Sequence, residues 1–385
     1  MYGTVEVFSS AILRAIKEEE AKADVWFVIV PDELFKYCRP ESEVEAGRKI
    51  IPPGSWGKRS RGNPRQTHLF AEDRELAKAY DFQPDFHNQL KARLLGHDVP
   101  SQVVRESTIA FREVLNRFGK PLRNYENQQA AVAWTLSTAA FYKSGGRPWK
   151  MARVRKGVCY VGLVYKKDAR EEDPRVACCA AQMFLDSGDG VVFKGAVGPW
   201  HTRWSEFHLS KDAAHQLITI SVNSFKERTG EFPVELFIHG RASFRDPEWE
   251  GFRAGVPAST NVVGVKIRYG DDLKLFPLND WPVVRGSAYV MDGQSAYLWT
   301  NGTIPRLATY LGRETPNPIQ VEITRGQADI NQVLRDILAL TKLNYNSCSF
   351  GDGEPVTLKF ADAVGEVLTA GPLRDVPPLP FRYYI

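Results

Sequence analysis

Residues 85–104 read DFHNQLKARLLGHDVPSQVV. The pattern predicts a short helix, a turn marked by Gly96 and Pro100, and a short strand. His87 and Lys91 stand four apart, so they share one helical face, and Gln102 follows eleven residues after the lysine. Upstream, residues 5–19 have helical periodicity, and DVWFVIV (24–30) reads as a buried strand from its β-branched and aromatic content. PDELFKYCRP starts a turn and a short helix that Pro40 stops. Residues 41–67 contain Pro52, Pro53, Gly54, Gly57, Gly62 and Pro64, which predict a long loop. A helix over 73–80 precedes the quoted stretch, and an Ala-rich helix over 125–143 follows it, closed by Gly145 and Gly146. Strand, helix, loop, helix, strand, helix predicts an α/β unit with parallel strands.

A second unit starts near Pro148. GVCYVGLVY (157–165) and residues 177–195 read as successive strands with a Gly/Asp turn. A helix over 210–229 has Ser210 as its N-cap, and PVELFIHG (233–240) is a strand ending at a glycine. Further strands follow in NVVGVKIRYG and SAYVMDGQSAYLWTNG, the latter a hairpin about Asp292–Gly293. A helix over 327–340, the segment PVTLKFADAVGEVLTAG (355–371) and an aromatic end, PLPFRYYI, complete the chain.

Composition excludes several classes. The 385 residues are 43% apolar and 25% charged, ordinary for a globular protein with a sizeable core. No apolar run is long enough to span a membrane, and the N-terminal stretch lacks a signal-peptide pattern, so a cytoplasmic protein is expected. Cys38, Cys159, Cys178, Cys179 and Cys348 contain no C-x-x-C pair, which argues against a disulfide framework or a zinc site. Cys178 and Cys179 sit in an apolar run and read as buried thiols. Net charge is only +4, but residues 48–66 carry six Lys/Arg and residues 143–167 carry eight, with no acid in either stretch. Such segregation suggests a polyanion surface, often for nucleic acid.

In order along the chain, DFHNQLKARLL, YKSGGRPWKM, LFIHGR, ALTKLNYNSCSF and PVTLKFADAVGEVL together resemble Argonaute proteins of the short prokaryotic type. The resemblance covers nearly the whole chain. It implies an α/β fold: a Rossmann-like MID domain over residues 1–145, followed by an RNase H-like PIWI domain over 146–385. It places His87, Lys91 and Gln102 on the MID motif that holds a guide strand's 5′-phosphate, and Lys143 on the lysine before the Gly-Gly. The chemistry suits the task, because a terminal phosphate carries nearly two charges and favours a lysine point charge with neutral donors beside it. The resemblance further implies that the C-terminal carboxylate, on Ile385, approaches this pocket. There, with Gln102, it would help hold a Mg²⁺ ion at the guide 5′ end.

PIWI domains of this family cut with carboxylates around two metal ions. Here the family's acidic positions fall on Val164, His239 and Asn344. A valine cannot bind a metal, and the other two supply no negative charge. Asp168, four residues past Val164, is read as a loop residue. The expectation is therefore guide-directed binding without cleavage, with an RNA guide and a complementary single-stranded DNA target, in defence against invading DNA. The resemblance also implies a heterodimer with a protein carrying an APAZ region and a TIR, sirtuin-like or nuclease effector, which would carry any killing activity. The alternative is an active metal-dependent guide-directed nuclease using Asp186, Asp189 or other carboxylates. A third reading is a guide-independent nucleic-acid binder resting on the basic stretches alone.

Overall fold

A computed structural model describes residues 2–18, 23–38, 85–123, 126–150, 155–167, 176–183, 190–194, 207–278, 280–310, 312, 314–345, 351–370 and 379–385. The basic stretch 48–66, the helix expected over 73–80, and Asp168, Asp186 and Asp189 lie outside the described residues, as do the side chains of Cys178 and Cys179.

The N-terminal lobe contains α1 (Tyr2–Glu18), β1 (Trp26–Val30), α2 (Asp32–Tyr37), α3 (Phe86–Leu94), β2 (Ser101–Arg105), α4 (Glu106–Ile109) and α5 (Gln129–Lys143). Strands β1 and β2 pair in parallel, Trp26 against Ser101 through Val30 against Arg105. Val28 and Val30 point into a core with Val5, Ile12, Phe86, Leu90 and Leu94. Strand β1 is not buried on both faces as its composition suggested: Phe27 and Ile29 remain 42% and 50% exposed. Residues alternate between the two faces of a strand, and the core covers only the face of Val28 and Val30.

The C-terminal lobe is built on β3 (Val158–Lys167), β4 (Val176–Met183), β5 (Gly190–Lys194), β6 (Glu235–Gly240), β7 (Asn261–Tyr269), β8 (Ala288–Val290), β9 (Ser295–Leu298) and β10 (Ile319–Arg325). They form one mixed sheet in the order β5-β4-β3-β6-β7-β10-β9-β8. Its centre, β3-β6-β7, is parallel, while β4 and β10 run antiparallel to their central neighbours. Strand β3 is apolar almost throughout because both its faces are covered. Tyr160 and Val164 join Phe237 on one face, and Cys159, Val161 and Leu163 join Leu236 and Ile238 on the other.

Two pairs of helices cover the two faces. Helix α6 (Lys211–Thr229) begins at Ser210, whose side chain accepts from the Ala213 amide, and stops at Gly230 in the left-handed region; α7 (Asp246–Ala254) packs beside it. On the other face, α8 (Ile330–Leu340) buries Ile330, Val333, Leu334, Ile337 and Leu340, an i, i+3, i+4, i+7 stripe. Helix α9 (Val356–Ala370) crosses β3. The crossing is close enough that a Cβ on Gly162 would lie 2.1 Å from the Thr357 carbonyl oxygen, so only glycine fits there.

The lobes meet at the end of α5. Tyr142 packs on Tyr345 with ring centroids 5.0 Å apart, Trp149 donates to the Lys342 carbonyl at 2.8 Å, and the Tyr345 hydroxyl donates to the Trp149 carbonyl at 2.9 Å. The final residues turn back onto this seam. Phe381, Tyr384 and Ile385 are buried, with Phe381 edge-on to Phe360 of α9. Gly145, at φ +98°, ends α5 in a conformation that disfavours side chains, and a Cβ there would lie 2.8 Å from the Arg382 guanidinium.

Candidate functional site

The quoted stretch folds as expected into helix, turn and strand, and Asp85 caps α3 by accepting from the Asn88 amide at 3.0 Å. The shared face of His87 and Lys91 points at the seam between the lobes. Lys91 and Lys143 are each only 1% exposed. The Lys91 ammonium donates to the Ser101 carbonyl at 3.2 Å and to an Ile385 terminal oxygen at 2.7 Å. Lys143 donates to the same Ser101 carbonyl at 2.8 Å and also to the Ile385 oxygen. Two lysine side chains from two helices therefore share two backbone oxygens, those of Ser101 and Ile385.

Burial disfavours the charged form of both groups. It lowers the Lys91 pKa to about 8. It holds Lys143 well below the usual ammonium range, with the neighbouring Lys91 charge acting in the same direction. Both lysines are thus buried on backbone oxygens, Ser101 and Ile385, where an arriving anion would favour their charged forms.

A cavity of about 250 Å³ opens beside Ile385, walled by His87, Asn88, Asn344, Lys359, Tyr384 and Glu366 among others. His87 keeps an exposed edge in this cavity, and its Nδ1 lies 3.2 Å from the Asn88 side-chain oxygen. Desolvation at the pocket wall, and then the charge of Lys91, push its pKa down to about 3. His87 is thus a neutral donor or acceptor at the cavity wall. Gln102 makes no hydrogen bond with the lysine pair. Its amide donates to the Val103 carbonyl at 3.3 Å, while its side-chain oxygen is buried without a hydrogen-bond partner. The oxygen that β2 presents to the lysines is the backbone carbonyl of Ser101, which no side-chain motif reveals.

Of the three positions where carboxylates were sought, Val164 and His239 lie on neighbouring strands under α9, and Asn344 lies in a different cavity. Val164, 5% exposed, lines a second cavity of about 310 Å³ at the carboxyl ends of β3 and β6. His239 lies beside Gly162 in the parallel register and two places short of Val164; it is buried under α9, its Nδ1 2.9 Å from the Thr357 hydroxyl. Burial lowers its pKa to about 3, so it is neutral. Asn344 lies elsewhere, in the wall of the cavity shared with His87 and Ile385. The acid that the fold brings to Val164 is Asp362 of α9. The motif before the last helix suggested Asn344, but the helix crossing β3 is what reaches the strand ends.

Asp362 is already engaged. Lys166 lies 2.9 Å from it and 3.3 Å from Glu366, one helical turn on. Arg241 lies 3.5 Å from Asp362 and 3.2 Å from Glu354. Deeper in the wall, buried Glu248 accepts from the Tyr165 hydroxyl at 2.6 Å and the Leu209 amide at 3.1 Å, with His208 Nδ1 at 3.2 Å. The i, i+4 spacing of Asp362 and Glu366 was the available sequence signal for this cluster. Among the described residues, no group of three or more His, Cys, Asp or Glu could hold a metal ion.

Three described members of the basic run 143–167 go to different places. Lys143 enters the pocket, Lys166 pairs with α9, and Arg155 pairs with Asp336 at 2.6 Å and with Glu235. Among the described residues, no helix is long and apolar enough to cross a membrane.

No family model and no curated protein matches the sequence. Solved structures do resemble the fold. An Argonaute of Clostridium butyricum bound to a guide DNA and a 19-mer target DNA superposes with a TM-score of 0.62 at 16% identity, covering 95% of this chain and 40% of that one. Drosophila Piwi gives 0.56 at 12% identity, covering 100% and 44%, and the A. aeolicus Argonaute 0.52 at 16%, covering 94% and 49%. The chain thus spans less than half the length of each structure. A parallel two-stranded lobe and a mixed-sheet lobe meeting over the buried chain end are therefore the two halves of an Argonaute-like MID–PIWI fold.

Proposed function

We propose that this chain binds the 5′-phosphorylated end of a guide strand at the Lys91–Lys143 pair and uses the guide to recognise a complementary strand without cutting it. The observation that carries the reading is the pair of lysines, sealed from water, that share the Ile385 main-chain oxygen beside an open cavity. A phosphate brings nearly two negative charges and strong acceptor oxygens. Lys91 and Lys143 would donate to those oxygens, and His87 at the wall would add a neutral hydrogen bond. Burial makes such charge-assisted bonds worth roughly 1.5–3 kcal/mol each.

Mg²⁺ at the guide end fits the donor chemistry. The Ile385 carboxylate is a hard oxygen ligand, and the Gln102 side-chain oxygen is a buried acceptor without a partner. Mg²⁺ commonly takes one or two protein oxygens and completes its shell with phosphate and water. Its contribution would be to offset the repulsion between the phosphate and the terminal carboxylate.

Val164, neutral His239 and the paired Asp362 support the non-cleaving reading, because cleavage of this type needs several free carboxylates around two metals. By resemblance, the guide is RNA, the target is single-stranded DNA, and recognition is read out by an APAZ-containing effector partner in defence against invading DNA. The test is target length on a denaturing gel, with loaded guide and either Mg²⁺ or Mn²⁺. An intact target is expected. A single guide-dependent cut at a fixed position would overturn the non-cleaving reading and point to Asp362 or to carboxylates outside the described residues.

A further inference from the structure

After β2 and the short α4, the chain makes a projecting turn before α5. Its sequence, residues 110–123, is AFREVLNRFGKPLR, with four cations and one acid. The turn is held by its own bonds. The Asn116 amide donates to the Lys120 carbonyl at 2.7 Å, the Leu122 amide to Val114 at 2.9 Å, and the Gly119 amide to Asn116 at 3.0 Å. The Asn116 side-chain oxygen accepts from the Phe118 and Lys120 amides, at 2.9 and 3.2 Å. Gly119 takes φ +69° with open space where a Cβ would be. The tip is therefore ordered locally rather than by packing, and it holds Phe118 in solvent at 72% exposure. The Arg117 guanidinium lies over the Phe118 ring, 4.7 Å from its centroid. Arg112, Arg117 and Lys120 are all exposed.

A large aromatic ring held out in water has no role in this fold's core. Water-facing apolar surface fits either a protein or a base, and the charge decides between them. The turn places cations on both sides of the ring and no acid between Asn116 and Leu122. Single-stranded nucleic acid supplies what this surface lacks: flat π-faces for stacking and regularly spaced phosphates for the cations. We propose that the 116–120 turn is a stacking finger for single-stranded nucleic acid, with a base on Phe118 and backbone phosphates on Arg117 and Lys120. This rests on the nucleic-acid binding proposed above but uses different atoms. The turn follows the carboxyl end of β2 whereas the lysine pair sits at its amino end, roughly 13 Å of extended chain away.

The test compares two probes by fluorescence anisotropy: a single-stranded RNA long enough to reach both places, and a 5′-phosphorylated dinucleotide that fills only the lysine pocket. Phe118→Ala should weaken the long strand by about tenfold, the loss typical of one stacked base, and leave the dinucleotide unchanged. Phe118→Trp should retain the long-strand affinity. Arg117→Gln with Lys120→Gln should flatten the salt dependence of long-strand binding by about 1.4, two single-strand phosphate contacts. Long-strand affinity within twofold of the parent for Phe118→Ala overturns the proposal. So does that same result combined with loss of a co-purifying protein, which would assign the finger to a protein partner. Equal losses on both probes would also overturn it. Lys91→Ala separates the two readings: if it fails to reduce dinucleotide binding, the pocket assignment falls while the finger result stands.

Discussion

Helix α9 touches two charged clusters that end in opposite states. At the seam between the lobes, Lys91 and Lys143 both donate to the Ile385 main-chain oxygen. At the ends of β3 and β6, Lys166 and Arg241 face Asp362, Glu366 and Glu354. The first holds two lysines in a dry place that disfavours their charge, where an added anion gains strongly. The second has acids in nominal excess, but the ion pairs bind Asp362 to two cations at a water-accessible rim. Carboxylates alone do not make a metal site; they must be free of cations. Likewise lysines make an anion site only when their counter-charge is incomplete. The two clusters also differ in burial. Exposed or half-exposed ion pairs are worth little, while buried ammoniums are costly unless a partner arrives.

The largest expected effect breaks the first cluster. Lys91→Ala together with Lys143→Ala should abolish the preference for 5′-phosphorylated over 5′-hydroxyl strands, and either change alone should cost roughly ten- to a hundredfold in phosphate-dependent affinity. Competition binding with the two strand types checks this. Equal losses for both types would mean the lysines only hold the seam.

The pH dependence sharpens the same contrast. Lys91 titrates near pH 8 in the ligand-free protein, against about 10.4 in an unfolded chain. Above pH 8 an incoming phosphate must bind together with a proton, so log affinity should fall with rising pH, by up to about one unit per pH unit for each lysine involved. The stability of the ligand-free protein should move the other way. Between about pH 8 and 10 the unfolded chain binds more protons, so folding gains as pH rises. Lys91→Met should reduce this gain, leaving the part contributed by Lys143. Calorimetric melting temperatures of the two proteins across that window would show it, and parallel curves would contradict the assignment.

A smaller effect follows from moving the terminal carboxylate. Extending the chain beyond Ile385 converts its carboxylate into an amide and shifts the charge away. Phosphate binding should then lose most of its dependence on Mg²⁺, read as the affinity ratio with Mg²⁺ and with a chelator. An unchanged ratio would place the ion elsewhere.

The smallest effect belongs to the second cluster. Lys166→Met leaves Asp362 and Glu366 one helical turn apart without their shared cation. The expected loss is about 1 kcal/mol or less, because the group is only partly buried, with no change in phosphate discrimination. A large loss of strand binding in Lys166→Met would contradict the separation of the two clusters.

Local patterns fixed what local physics controls. The α3–β2 stretch, the Ser210 cap, the Asp292–Gly293 hairpin and the strands of the large sheet were legible because each depends on neighbours a few residues away. His87 and Lys91 on one face follow from helical geometry alone. What required the tertiary structure was every contact made across the chain. The Ser101 carbonyl could not be read, because a backbone oxygen has no side-chain signature. Asp362 was passed over for Asn344, because which one meets Val164 depends on where α9 crosses β3, and that crossing is set by the bare Gly162 against Thr357. The run of cations from Lys143 to Lys167 looked like one surface, yet among its described members folding buried Lys143 and paired Arg155 and Lys166 with acids. Sequence by itself determined the elements, their faces and the resemblance. Tertiary packing decided which charges are left without a counter-charge, because that balance is struck between residues as distant as Lys91 and Ile385, and only close packing in a dry interior makes it count.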